Sequence, residues 1–268
     1  MRKAIALVIS LILLFSGSSI AENISPVTYK QRRETFMSNM GNDIAIFVAP
    51  EVTKRNSDID YKYRANSNIY YLTGFEEPEF AFLLLPGEEH EYIMFVKPNS
   101  QRSKMWHGEG IGIEGALDKY GADTAYSIEE FYEILPKYLR NKENLYYNLE
   151  NKELNTEILP LFDRWNSPKA IVDPGAIMNK MRTFKTKEEI VLIQESINIT
   201  SNAMKKVAGI IEPGMNESEV AAFIEYNFRL GGSVRNAFPS IVGSGKNSLA
   251  LHYTKNNCIM NDGDVVCI

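Results

Sequence analysis

Three short apolar runs without a single polar interruption lie within the first hundred residues, and they constrain the fold of this chain more than any other feature. Asp43-Ile-Ala-Ile-Phe-Val-Ala49, apolar after its first residue, is closed by Pro50, Phe80-Ala-Phe-Leu-Leu-Leu85 by Pro86, and Tyr92-Ile-Met-Phe-Val96 follows shortly after. Runs of this length and character are the mark of buried strands. The second and third flank Pro86-Gly87-Glu88-Glu89 and read as a hairpin. Asn68-Ile-Tyr-Tyr-Leu-Thr73, closed by Gly74, reads as a further strand, and 145–149 as another. Helical patterns cover 29–40, 112–120, 128–140 and 153–165. Strands mixed with helices in this order predict an α/β domain on one central mixed sheet. That domain is expected to end near Ser167, ahead of Pro168 and the Asp173-Pro-Gly175 turn.

The pattern changes at 186. Thr186 and Glu189 have the T-x-x-E spacing of a capping box, which satisfies orphan amides at a helix start. Ile190, Ile193, Ile197, Met204, Val207 and Ile211 then recur at helical intervals and predict one apolar face. Glu212-Pro-Gly214 breaks this helix, and Asn216 with Glu219 opens another, with Val220, Phe223, Ile224 and Phe228 expected to face a core. Gly231-Gly232 ends it. Residues 168–185 read as a linker between the two regions.

At the front, Met1-Arg-Lys3 is cationic, Ala4 to Phe15 is apolar, and Ser19-Ile-Ala21 has the small-x-small form of a signal-peptidase site. An apolar run of about twelve residues cannot span a bilayer core that needs about 20. Residues 1–21 are therefore expected to be a cleaved signal peptide, with a periplasmic or secreted product and no stable membrane anchor after cleavage. Removing Arg2 and Lys3 leaves 27 basic against 34 acidic residues, which argues against nucleic acid as a partner. The two cysteines, Cys258 and Cys267, read either as a disulfide or as buried thiols on neighbouring strands. Their surroundings do not suit a zinc site.

Several separate blocks carry a family resemblance. In the first region they are Ala49-Pro-Glu-Val-Thr53, Tyr63-Arg-Ala-Asn-Ser67 and Tyr71-Leu-Thr-Gly-Phe-Glu-Glu-Pro78. In the second they are Met181-Arg-Thr-Phe-Lys-Thr-Lys-Glu-Glu189 and Ser240 to Ile268, with Leu251-His-Tyr253 and Gly263-Asp-Val-Val-Cys-Ile268 inside it. Together they resemble aminopeptidase P (Xaa-Pro aminopeptidase), a metallopeptidase family with the pita-bread fold. The resemblance implies a fold of class α/β (α+β): an N-terminal mixed-sheet α/β domain over 22–167, then the first part of a pita-bread catalytic domain over 186–268.

The family's chemistry is metal-assisted hydrolysis, in which two divalent ions, usually manganese, activate a water that attacks the carbonyl before a penultimate proline. The resemblance implies ligands of two Asp, one His and two Glu, all beyond the position equivalent to Ile268. No acid of this chain is then expected to bind metal, and the chain reads as a C-terminally truncated fragment, inactive alone. Asp262 and Asp264 read as turn residues around Gly263. The partners implied are peptides with a penultimate proline and further copies of the same chain in a homo-oligomer.

By the same resemblance His252 matches the active-site histidine that donates a hydrogen bond to the substrate or its tetrahedral intermediate. Trp106, in Met105-Trp-His-Gly108, matches a tryptophan that reaches towards a neighbouring subunit's active site. Its ring suits a proline or an interface, and ordinary packing is an equal alternative. Phe238 falls where relatives place an aromatic near the substrate pocket, although a core phenylalanine is the plainer reading. His107 departs from the family pattern and is given no role, and His90 is expected to be exposed in its turn. Gly243-Ser-Gly245 lacks the lysine and helix of a phosphate loop and reads as a tight strand-end turn. Two other classes stay open on the sequence: a non-catalytic binding or oligomerisation protein built on the first domain, and a prolidase or creatinase-like relative.

Overall fold

The computed structural model describes residues 24–150, 152–162 and 168–268, and the expected signal peptide at 1–21 lies outside them. Among the described residues no helix is long and apolar enough to cross a membrane. The described chain forms two units, Ile24–Lys185 and Thr186–Ile268.

The first unit opens with α1, Pro26–Met37, capped by Ser25. Strand β1 is Ile44–Val48, and an exposed hairpin follows as β2, Lys54–Asn56, and β3, Ile59–Asp60. After α2, Ser67–Thr73, come β4, Ala81–Leu84, and β5, Tyr92–Val96. Helices α3, Gln101–His107, and α4, Gly112–Asp118, precede β6, Thr124–Ser127. The rest is α5, Phe131–Leu139, β7, Asn144–Tyr146, α6, Lys152–Ile158, β8, Ala170–Val172, and α7, Gly175–Thr183.

Six strands form one mixed sheet in the order β6-β5-β4-β1-β7-β8. β1, β4 and β5 pair antiparallel, and the outer pairs are parallel. The three apolar runs are its central strands, and their alternate residues serve opposite faces. Ala45, Phe47, Phe82, Leu84 and Met94 pack on one side with Phe36 of α1 and Met178 of α7. Ile44, Ile46, Leu83, Ile93 and Phe95 pack on the other with Leu135 of α5 and Ile158 of α6. Burial on both faces is why no polar residue interrupts these runs.

Two expectations fail here. Residues 68–73 are helical, not a strand. Asn66 caps the helix by accepting from the Asn68 and Ile69 amides, and Gly74 at φ 70° ends it in the left-handed region. The tyrosines and Ile69 that favour strand by composition are overruled by these two end signals. The last carbonyls of α2 are also met from outside. Arg32 donates to the Tyr71 carbonyl at 3.1 Å and Arg33 to that of Leu72 at 3.0 Å, each guanidinium lying over a tyrosine ring.

The 168–185 segment is not a free linker. It supplies edge strand β8, in parallel register with β7 (Leu145 opposite Ile171), and α7, whose Met178 is fully buried. The true boundary lies at the Thr186 cap. A short β-branched strand on the sheet edge carries too weak a periodic signal to read from sequence.

The second unit begins with α8, Lys187–Ala208, and its capping box forms as expected: the Glu189 amide donates to Thr186 Oγ1, and the Thr186 amide to Glu189 Oε2. Helix α9, Glu217–Leu230, has a second capping box from Asn216 and Glu219. β9, Gly243–Ser244, pairs antiparallel with β10, Val266–Cys267. The core of this unit is small: Val207, Val220, Ala221, Ile224, Val242 and Met260. The apolar stripe of α8 is buried only towards its C-terminal end. Ile190, Ile193 and Ile197 are each roughly half exposed. Cys258 is half-buried and Cys267 exposed, both free, which corrects the disulfide and the buried-thiol readings alike.

Candidate functional site

The polar interior of the second unit gathers around one side chain, Glu217, at the first position of α9. It has no exposed surface. Its Oε1 accepts from the Ser244 amide at 2.8 Å, the Ser244 hydroxyl at 2.8 Å and Asn247 Nδ2 at 3.1 Å. Its Oε2 accepts from the Tyr253 hydroxyl at 2.7 Å and the Cys258 amide at 3.0 Å. The Glu217 amide in turn donates to the Cys258 carbonyl at 2.9 Å. Burial would raise the pKa of this carboxyl, but its hydrogen-bond donors outweigh it and hold it at about 2. The Tyr253 phenol moves the other way: burial and its bond to Glu217 push it up to about 12.

These bonds shape 244–258. Gly243 lies in the short strand β9, and Gly245 opens the turn that leaves it. A Cβ on Gly243 would stand 2.7 Å from the Asn247 carbonyl oxygen, and Gly245 sits at φ 52° against Asp264. A short 3-10 helix, Gly245–Leu249, follows. Asn256, itself at φ 45°, ties the exit back: it accepts from the Val242 amide and donates to the Ser240 carbonyl.

His252 stands on the exposed part of this segment, between Leu251, 90% exposed, and the tethered Tyr253. An imidazole on a surface loop with a fixed backbone can offer a hydrogen bond to a carbonyl oxygen or oxyanion brought to it. Phe238 lies in the same unit and is 67% exposed, so it is not the core residue that was the plainer reading. Trp106 belongs to the first unit, on α3, a helix with no buried residue. The helix is capped by Ser100 and closed by Gly108, and its return is held by paired bonds between Asn99 and Gly110. The ring is 69% exposed, which removes core packing as its role. His107 is exposed, while His90 is half-buried rather than exposed.

Sequence reasoning passed over Glu217, Asn247, Tyr253 and Asn256. An acid in the first turn of a helix normally faces solvent and interacts with the helix dipole, so Glu217 looks ordinary. The cluster of asparagines around Tyr253 was the one available cue.

The residues present do not suit a two-ion carboxylate centre. Among the described residues no group of three or more His, Cys, Asp or Glu is placed to hold a metal. Asp264 accepts from the Asn261 amide at 2.8 Å and from its side chain, and Asp262 is an exposed turn residue beside Gly263. Glu217 is fully engaged in its own network.

Residues 29–146 match the aminopeptidase P N-terminal domain, and residues 191–268 match metallopeptidase family M24. The Xaa-Pro aminopeptidase of Escherichia coli (strain K12) is 33% identical over 258 residues, covering 91% of this chain and 58% of that protein. The Xaa-Pro aminopeptidase of Haemophilus influenzae is 34% identical over 246 residues, covering 90% and 56%. Among solved structures, Pseudomonas aeruginosa aminopeptidase PepP superposes with a TM-score of 0.88 at 31% identity, covering 91% of this chain and 57% of that one. A zinc-substituted E. coli aminopeptidase P in complex with product gives 0.86 at 28%. The chain thus spans rather more than half the length of the relatives it matches. With both domain types present in order and the sheet and helices superposing along nine-tenths of its length, the chain belongs to the aminopeptidase P family of M24 metallopeptidases.

Proposed function

We propose that this chain is part of an exported Xaa-Pro aminopeptidase, which removes the N-terminal residue of peptides whose second residue is proline. The observation that carries the reading is the combination of a first-domain match over 29–146 with an M24 match over 191–268 that contains an anchored histidine segment. In this reading His252 holds the scissile carbonyl or its oxyanion, and Phe238 and Trp106 offer exposed aromatic surfaces for the proline ring or for a neighbouring copy in a homo-oligomer. The two divalent ions, manganese by preference, are held by ligands from sequence outside these 268 residues.

The test is peptide cleavage. The 268-residue chain supplied with manganese is expected to release no alanine from Ala-Pro-Ala. The same chain lengthened by its downstream reading frame is expected to release it. Cleavage by the shorter chain would overturn the assignment of the ligands, and failure of the longer one would overturn the activity. Export is tested separately, by N-terminal sequencing of protein recovered outside the cytoplasm. The mature chain is expected to begin at Glu22.

A further inference from the structure

We propose that Glu217 is a positioning residue: its carboxylate is the template on which residues 244–258 fold, and through them it sets where the His252 imidazole stands. The inference rests on the reading of His252 as the substrate-facing histidine of an Xaa-Pro aminopeptidase.

The bonds to Glu217 come from both ends of the segment and from its middle. Ser244 and Cys258 are the ends, Asn247 lies between, and Tyr253 is the residue next to His252. Neither carboxylate oxygen is left for anything else, and without exposed surface the group cannot touch a substrate. Its influence on chemistry has to pass through the backbone it holds. A charge buried without donors is costly, so the segment cannot swing away without stranding the carboxylate. The hydroxyl tether at the position adjoining His252 fixes the direction from which that side chain projects.

Two measurements test this. The first is amide hydrogen exchange in the 268-residue chain. Glu217→Gln keeps the shape but turns a pure acceptor into a group that also donates. It is expected to speed exchange across 244–258 by about tenfold or more, with α8 unchanged, and Tyr253→Phe to do so to a smaller degree. Unaltered protection across the segment overturns the proposal.

The second uses the lengthened, manganese-loaded enzyme on Ala-Pro-Ala. Glu217→Gln is expected to lower kcat by about tenfold while KM stays within about twofold. In a His252→Ala background the same change should cost less than about twofold, because the route through His252 is gone. Losses that simply multiply would overturn it. If Glu217→Gln does not fold, Tyr253→Phe must show the same non-additivity on a smaller scale. If the lengthened enzyme cleaves nothing, the reading of the reaction falls, and the exchange result alone decides whether Glu217 holds the segment.

Discussion

The two units solve the problem of a folded interior in opposite ways. In Ile24–Lys185 the centre is a sheet of apolar strands covered on both faces, and the buried charges stand at its margins. Asp43 receives the Asn144 amide and side chain beside the strand ends, and Arg32 and Arg33 meet the last carbonyls of α2. In Thr186–Ile268 a carboxylate is itself the centre, and a handful of apolar side chains surround the helices beside it. Apolar burial has no preferred direction, so a core of the first kind tolerates re-packing and gains stability with area. A hydrogen-bonded node fixes a loop in one shape and fails when one partner is lost. The first unit is built for stability and the second for the placement of a loop.

The sharpest test of that contrast is Phe82→Ala, at a fully buried site in the middle of the sheet. It should destabilise the first unit by about 3–5 kcal/mol in urea unfolding, whereas Ile224→Val in the smaller core should cost about 1 kcal/mol. Similar costs would remove the distinction.

Acid should separate the units next. Glu217 has a folded-state pKa of about 2 against an ordinary 4.5, so the unfolded chain binds the proton first as pH falls. Its contribution is fully present above about pH 5 and is lost progressively from there towards pH 2. Hydrogen exchange across 244–258 should therefore accelerate beyond its intrinsic pH dependence over that window. Protection that increases on acidification would contradict the assignment.

Smaller effects probe the margins of the first unit. Asn66→Ala removes the cap of α2 and should cost about 1 kcal/mol, read as a shift in the urea midpoint. The pair between Lys169 and Glu143, at 2.6 Å, is exposed on both sides. Lys169→Ala should leave the urea midpoint unchanged. A loss as large as that of Asn66→Ala would show that an exposed charge contributes more to this unit than its apolar design allows.

Much of the first unit was legible because its strands are long enough and apolar enough to exclude other readings, as at 80–85 and 92–96. The α2 segment misled because Ile69, Tyr70 and Tyr71 have strand-like composition, and the outcome is decided by Asn66 and Gly74 at its ends and by arginines far away in sequence. In the second unit both capping boxes were readable, since each is a local spacing of two residues. The polar node was not, because it joins position 217 to positions 244–258, and no periodicity records a contact across that separation. Sequence resemblance singled out His252 as a candidate and was silent on what holds its segment.

Trp106 has a use that follows from its place on a helix with no buried face. The chain has two tryptophans, Trp106 and Trp165. With Trp165 replaced by phenylalanine, emission would come from a single indole that water surrounds in the folded protein. Such a signal would be red-shifted and open to acrylamide quenching from the start. Unfolding of the first unit would change it little, and anything that settles on α3 would change it much. The ring would serve as an optical reporter of contact at that surface.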